Sequence, residues 1–243
     1  MLTETEYLEL WKEYGVEDLN ALAPKMKRRL TRSKPGPATV SKATQQIVPP
    51  KSDTPSFKTL EQISAFIGDC KRCTRCSARN SIVFGTGNAT ARLMFVGEGP
   101  GADEDAQGLP FVGRAGQLLN KIIEAMSYKR EDVYIGNIVK CRPPSNRVPE
   151  PEEIAACSGF IRAQIDVIQP QMIVALGLTA ANTLLGTTTT MSALRSKFHP
   201  LTWNPKIPVM ATYHPAYLLR SPDAKKLVWD DMKKVLEKMK ALQ

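Results

Sequence analysis

With 243 residues, 42% of them hydrophobic, the chain has enough apolar material for one sizeable buried core with an extension beside it. No apolar run reaches the length of a membrane span, and Glu4, Glu6, Glu9, Glu13, Glu17 and Asp18 are the reverse of a basic secretion signal, so the sequence predicts a cytosolic protein with no membrane partner. The net charge of +9 suits a polyanionic partner.

In chain order, residues 3–20 read as an amphipathic helix, because Tyr7, Leu8, Leu10, Trp11 and Tyr14 recur at helical spacing between acids. That stripe needs a cover, either the rest of the chain or a protein partner. From Pro24 to Pro55 the composition turns to Lys, Arg, Ser, Thr and Pro, with a basic run through Lys25, Lys27, Arg28, Arg29, Arg32 and Lys34. Such a stretch has little to bury and reads as a flexible linker. The expected division is therefore a helix at 1–23, a linker at 24–55 and a folded domain at 56–243.

From residue 57 helix and strand patterns alternate. Apolar, branched runs at 93–96, 133–139, 172–176 and 209–213 have the character of buried parallel strands. Helical patterns fill 115–127, 151–168 and 178–185, and a last helix covers 221–242 after Pro222 and Asp223. This predicts an α/β fold with helices on both faces of a parallel sheet. The residues that follow each strand are unusual: Gly97-Glu98-Gly99-Pro100-Gly101, then Cys141-Arg142-Pro143-Pro144, Gly177, and His214-Pro215-Ala216-Tyr217. Ligands of open α/β sheets bind outside the carboxyl ends of the strands, so one rim collects them all.

Four of five cysteines form two pairs, Cys70 with Cys73 and Cys141 with Cys157. In a reducing compartment such clusters are metal ligands more often than disulfides. Both zinc and an iron-sulfur cluster accept four thiolates, but the 67-residue gap between the pairs is unlike a zinc ribbon and favours the cluster. Cys76 makes a second Cys-x-x-Cys with Cys73 and is a competing ligand. The glycine spacing departs from the dinucleotide fingerprint and no Walker lysine follows, which argues against nucleotide cofactors. Asn137 sits in an apolar strand, where an unpaired carboxamide is costly and calls for a partner or a ligand. His214 ends a buried strand and is stiffened by Pro215, whereas His199 falls in an expected loop.

Together, Gly97 to Gly101, Pro110-Phe111-Val112-Gly113, Asn137, Lys140 to Pro144 and His214 to Arg220 resemble the iron-sulfur type of uracil-DNA glycosylase, family 4, over about Phe66 to Lys240. The resemblance implies a three-layer α/β/α sandwich with a short central parallel β-sheet, a structural [4Fe-4S] cluster on Cys70, Cys73, Cys141 and Cys157, and excision of uracil from DNA by a nucleoid-associated monomer. Matched position by position, it makes Phe111 the aromatic that stacks on a flipped uracil and Asn137 the amide that reads the base edge. It makes His214 the donor to uracil O2, and Glu98 the acid that orients water or steadies the cationic sugar. Gly97 and Gly99 border the base, and Glu104 lies near its C5 edge. Leu218, Leu219 and Arg220 resemble a loop that wedges into the gap left by the base, and Arg142 and Arg147 are candidates for phosphate contact. Residues 143–149 carry neither an insertion nor a histidine, unlike a related branch that captures uracil-DNA covalently, so turnover by water is expected. Two alternatives stay open: the same fold acting on another deaminated base such as hypoxanthine, and a noncatalytic DNA-binding module.

Overall fold

The computed structural model describes residues 55–242, so the expected helix at 3–20 and nearly all of the basic linker lie outside the described residues. Six strands form one sheet: β1 (Thr86–Gly87), β2 (Leu93–Gly97), β3 (Tyr134–Asn137), β4 (Met172–Leu176), β5 (Phe198–Leu201) and β6 (Asn204–Thr212). Their order is β1-β3-β2-β4-β6-β5. The four inner strands are parallel, as their continuous apolar runs predict, and every residue of β2, β3 and β4 is buried.

Alternate side chains of these strands feed two cores. Met94, Val96, Ile173 and Ala175 face one side, where helices α1 (Leu60–Ile67), α4 (Pro151–Ile168), α5 (Leu178–Leu185) and α6 (Met191–Leu194) lie. Leu93, Phe95, Met172 and Val174 face the other, under α3 (Arg114–Ala125) and the final helix α8 (Lys225–Ala241). The result is the expected sandwich of helix, sheet and helix. Short helices α2 (Ala102–Gln107) and α7 (Pro215–Arg220) cap the carboxyl ends of β2 and β6.

The edges differ from the expectation of a wholly parallel sheet, since β1 and β5 run antiparallel. His199 lies in β5 rather than in a loop, with its Nε2 2.8 Å from the Leu194 carbonyl. Strand β6 begins five residues earlier than its apolar run. Its first half pairs only with β5, and there Pro200 faces Pro208. Neither proline has an N–H to donate, which is tolerated on an edge and hides the strand from a pattern reading.

Strand register brings the strand ends level. Gly97 of β2 pairs with Asn137 of β3, and Leu176 of β4 with Thr212 of β6. The chain passes from β2 to a neighbour on one side and then returns to β4 on the other. The crevice between β2 and β4 is thus the switch point at which open α/β sheets take their ligands.

Candidate active site

A cavity of about 450 Å³ opens at this switch point. Gly97 ends β2 beneath it, and Glu98 and Gly99 line it directly afterwards, Glu98 with a half-buried side chain. Phe111 forms its floor, only 5% exposed. The backbone of Phe111 has φ of 52°, a left-handed conformation that a bulky residue adopts only when its surroundings compel it. Two contacts do so. The Glu104 carboxylate accepts the N–H groups of Val112 and Gly113, both at 2.9 Å, and that of Gly101 at 3.0 Å. The first turn of α3 also passes so close that a Cβ on Gly116 would collide with the Phe111 backbone. Arg130 completes the clamp by donating to the carbonyl of Pro110. Glu104 therefore borders the cavity, but both its oxygens are engaged in holding the Phe111 loop.

Asn137 stands beside this ring. A Cβ on Gly97 would lie 2.5 Å from Asn137 Oδ1 and 2.6 Å from the Phe111 ring, so only glycine lets the amide and the aromatic share the site. Asn137 is 1% exposed, and its Oδ1 has no hydrogen-bond partner. A buried carbonyl left unpaired costs about 1–3 kcal/mol, a cost that a ligand N–H would remove. From below, the Lys140 ammonium donates to the Asn137 backbone carbonyl at 3.0 Å and to Gln164 Oε1 at 2.6 Å. Gln164 in turn donates to the Phe84 carbonyl and the Tyr134 hydroxyl.

His214 closes the opposite wall, its ring centre 5.5 Å from that of Phe111. It is the N-cap of α7, and its Nδ1 accepts the Ala216 N–H at 3.1 Å. Nδ1 is therefore the unprotonated nitrogen, and a neutral ring carries its proton on Nε2. Burial pulls the His214 pKa down to about 4, with Glu104 opposing and Arg220 adding to the shift. The ring is neutral at pH 7 and acts as a hydrogen-bond donor.

Around the mouth, α7 is a helix and not a loop, and this separates two neighbouring leucines. Leu219 is 38% exposed, whereas Leu218 is fully buried in the core beneath α3 and α8. That departs from the expectation for Leu218, whose side chain is locked into the core; of the two leucines expected to wedge into a base step, Leu219 is the exposed one. Arg220 is exposed at the cavity edge. Arg142 is half-buried and donates through Nε to Asn146 Oδ1 at 2.8 Å. Arg147 is committed elsewhere, its guanidinium forked onto Glu153 at 2.8 and 2.9 Å. Glu153 also receives Arg75 at 2.6 Å and the Glu150 N–H, and these donors, Arg147 foremost, hold its carboxyl far below the usual carboxylate range. Arg142 and Arg220 thus have a better claim on phosphates than Arg147.

Cys70, Cys73, Cys141 and Cys157 are free thiols, the last two buried. Cationic and N–H donors converge on them. Arg72 donates to Cys70 Sγ at 3.3 Å, Arg79 to Cys141 Sγ at 3.7 Å and the Lys140 N–H to Cys157 Sγ at 3.2 Å. Burial raises both deeper thiols, Cys157 to about 12, and both feel the charge of neighbouring cysteines, Cys73 among them. Among the described residues no three His, Cys, Asp or Glu side chains are gathered closely enough to hold a single ion. Four thiols approached by cationic and N–H donors are a donor set that either a zinc ion or an iron-sulfur cluster takes.

Several residues of this frame escape sequence reasoning. Lys140, Gln164, Glu153 and Asp105 are buried polar side chains, most of whose partners lie far off in the chain, and nothing in their local sequence signals the role. Asp105, 1% exposed, accepts the N–H groups of Asn80 and Ser81 and so ties α2 to the chain leaving the cysteine pair.

The comparisons with known proteins agree with this architecture. The family model for the uracil DNA glycosylase superfamily matches residues 84–234. A type-4 uracil-DNA glycosylase of Thermotoga maritima is 45% identical over 183 residues, covering 72% of this chain and 94% of that protein. Its counterparts from Archaeoglobus fulgidus and Saccharolobus solfataricus are 40% and 42% identical, over 74% and 73% of this chain and 94% and 85% of their own lengths. On family match, relatives and fold alike, the chain belongs to the uracil-DNA glycosylase superfamily, in its type-4 branch.

Proposed function

We propose that this chain removes uracil from DNA by hydrolysing the N-glycosidic bond, leaving an abasic site for repair. The observation that carries the reading is the buried, unpartnered Oδ1 of Asn137 beside the Phe111 ring and across from His214. A uracil extruded from the helix stacks on Phe111 and gives its N3–H to Asn137 Oδ1, while the amide N–H serves O4. Cytosine has no N3–H and presents an amino group where O4 would be, which strands both ends of the amide.

When the C1′–N1 bond breaks, its electron pair moves into the base and negative charge gathers on O2. The His214 Nε2–H donates to that oxygen, and a neutral imidazole does so without a proton transfer to reverse. Glu98 faces the positive charge left on the sugar and orients the water whose oxygen bonds to C1′. The water proton leaves through Glu98 or solvent, and N1 of the departing base takes up a proton. Leu219 fills the gap in the stack, and Arg142 and Arg220 hold phosphates. Cys70, Cys73, Cys141 and Cys157 would hold a [4Fe-4S] cluster, which when bound supplies a rigid cross-link between the segment before β2 and the loop after β3. No helix among the described residues is long and apolar enough to cross a membrane, and the DNA substrate assigns a place at the nucleoid, where we take the enzyme to act as a monomer.

The test is an end-labelled oligonucleotide with a single uracil, incubated with the protein and then with hot alkali. Scission at uracil and not at thymine or cytosine is expected. Scission at hypoxanthine alone would overturn the substrate assignment, and none at any base would favour a binding module.

A further inference from the structure

The machinery above leaves one conspicuous side chain unused. Tyr217 of α7 lines the same cavity as Phe111, but it is 40% exposed where Phe111 is 5% exposed. The two aromatics therefore mark the outer and inner ends of one opening. Tyr217 is also not free to swing. Its ring stacks on Tyr213 with centres 4.9 Å apart and planes 25° from parallel. Tyr213 directly follows β6 and has the Arg195 guanidinium 5.7 Å from its ring. Arg195 is itself pinned to the buried Asp231, which accepts the Thr212 hydroxyl at 2.7 Å. A braced column of Arg195, Tyr213 and Tyr217 thus ends in an exposed ring at the mouth of a base-sized site.

When a nucleotide leaves a strand, each neighbouring base loses a stacking partner. With the extruded base held against Phe111 and its sugar and phosphates crossing the opening, a neighbouring base is the next aromatic group of the strand to reach the mouth. Aromatic platforms serve any base, because each has a π-face. We propose that Tyr217 is a second stacking site, which takes the exposed face of the base flanking the extruded nucleotide and holds the strand open while the inner site is filled. The proposal rests on the reading of the cavity as a base-extruding site and adds a contact that reads no sequence. It makes Tyr217 a determinant of DNA binding that acts outside the bond-breaking step.

The test uses full-length protein and two DNAs with 2-aminopurine next to the key position, one with uracil and one with a stable tetrahydrofuran abasic site. Abasic DNA needs no base in the inner pocket, so its response is independent of uracil recognition. Stacking on Tyr217 quenches 2-aminopurine fluorescence in both complexes. Tyr217→Phe is expected to keep the quench. Tyr217→Leu, which keeps an apolar side chain but no ring, is expected to lose it and to bind abasic DNA roughly 10- to 100-fold more weakly. On uracil DNA the Leu variant raises KM and spares kcat in single-turnover experiments. Unchanged quenching in the Leu variant overturns the proposal, as does equal loss in the Phe variant, which would assign the effect to the hydroxyl. If the wild-type protein quenches abasic DNA yet releases no uracil, the function reading fails while the stacking site stands.

Discussion

His214 Nδ1 accepts the backbone N–H of Ala216 at 3.1 Å, and this single contact decides which ring nitrogen faces the cavity. The same hydrogen bond that starts α7 therefore also sets the tautomer at the reacting base. With the Nδ1 lone pair spent on capping the helix, Nε2–H is left for the donor role proposed for His214.

Removing that donor should slow the chemical step more than binding. His214→Ala is expected to lose roughly 10²- to 10³-fold in kcat, the usual cost of one oxyanion donor, while still binding uracil-containing DNA. Single-turnover kinetics with a gel-shift measurement separate the two. Unchanged kcat would remove His214 from the mechanism.

Acid should affect this protein at an unusual point. The His214 pKa is about 4 in the folded chain and about 6.5 when unfolded. Between those values the unfolded state binds more protons, so stability is full above pH 6.5 and declines as pH falls toward 4. The neutral, active ring nevertheless persists in the folded enzyme throughout that window. Turnover by folded protein is thus expected to hold to about pH 5, and the melting temperature of wild type should fall more between pH 7 and 4.5 than that of His214→Asn. An acid limb of kcat centred near 6.5 would contradict this assignment.

Asn137 makes a sharper claim on specificity. Asn137→Ala leaves the N3–H and O4 of a bound uracil unpaired, at about 1–3 kcal/mol for each stranded group. A loss of roughly 10²- to 10⁴-fold in kcat/KM follows, with little loss of affinity for abasic-site DNA, which has no base to read.

Gly97→Ala should unseat the pocket. The added methyl meets Asn137 Oδ1 at 2.5 Å and the Phe111 ring at 2.6 Å. Overpacking of this kind costs about 1–3 kcal/mol, so a lowered melting temperature with retained secondary structure is expected. Activity should fall far more than stability does. Near-normal turnover would show that the amide and ring are not confined as described.

Cluster removal should act at a distance. Cys141 adjoins Lys140, whose ammonium holds the Asn137 backbone, and Arg75 donates to the Cys141 carbonyl at 2.9 Å. Oxidative loss of the cluster, or Cys141→Ser, is expected to lower the melting temperature and to expose residues 140–150 to proteolysis. Residual activity should keep the pH profile of wild type. A loaded protein absorbs near 400 nm, and iron and sulfide analysis checks its content; stoichiometric zinc in a colourless preparation would refute the assignment.

Where the sequence was read correctly, burial left a plain mark. The runs that became β2, β3 and β4 are apolar because helices cover both sides of the sheet, and the glycine motif stands where β2 ends and the histidine motif just after β6. Other features depend on partners that are distant in sequence. Nothing local separates Arg142 from Arg147; the difference is Glu153, presented by α4 and shared with Arg75. Leu218 and Leu219 are chemically alike, and only the rotation of α7 against the core buries one and exposes the other. Pro200 and Pro208 hide an edge pairing that two antiparallel strands tolerate.

The level pairing of Gly97 with Asn137 has a further consequence. Side chains alternate along a strand, so a slip of one residue between β2 and β3 would turn the amide away from the cavity. On the role proposed for Asn137, substrate choice and sheet registration are a single constraint, since a misaligned sheet takes the amide out of the site. The connection from α3 to β3 is held to the same site, because Arg130 within it donates to the Pro110 carbonyl beside Phe111.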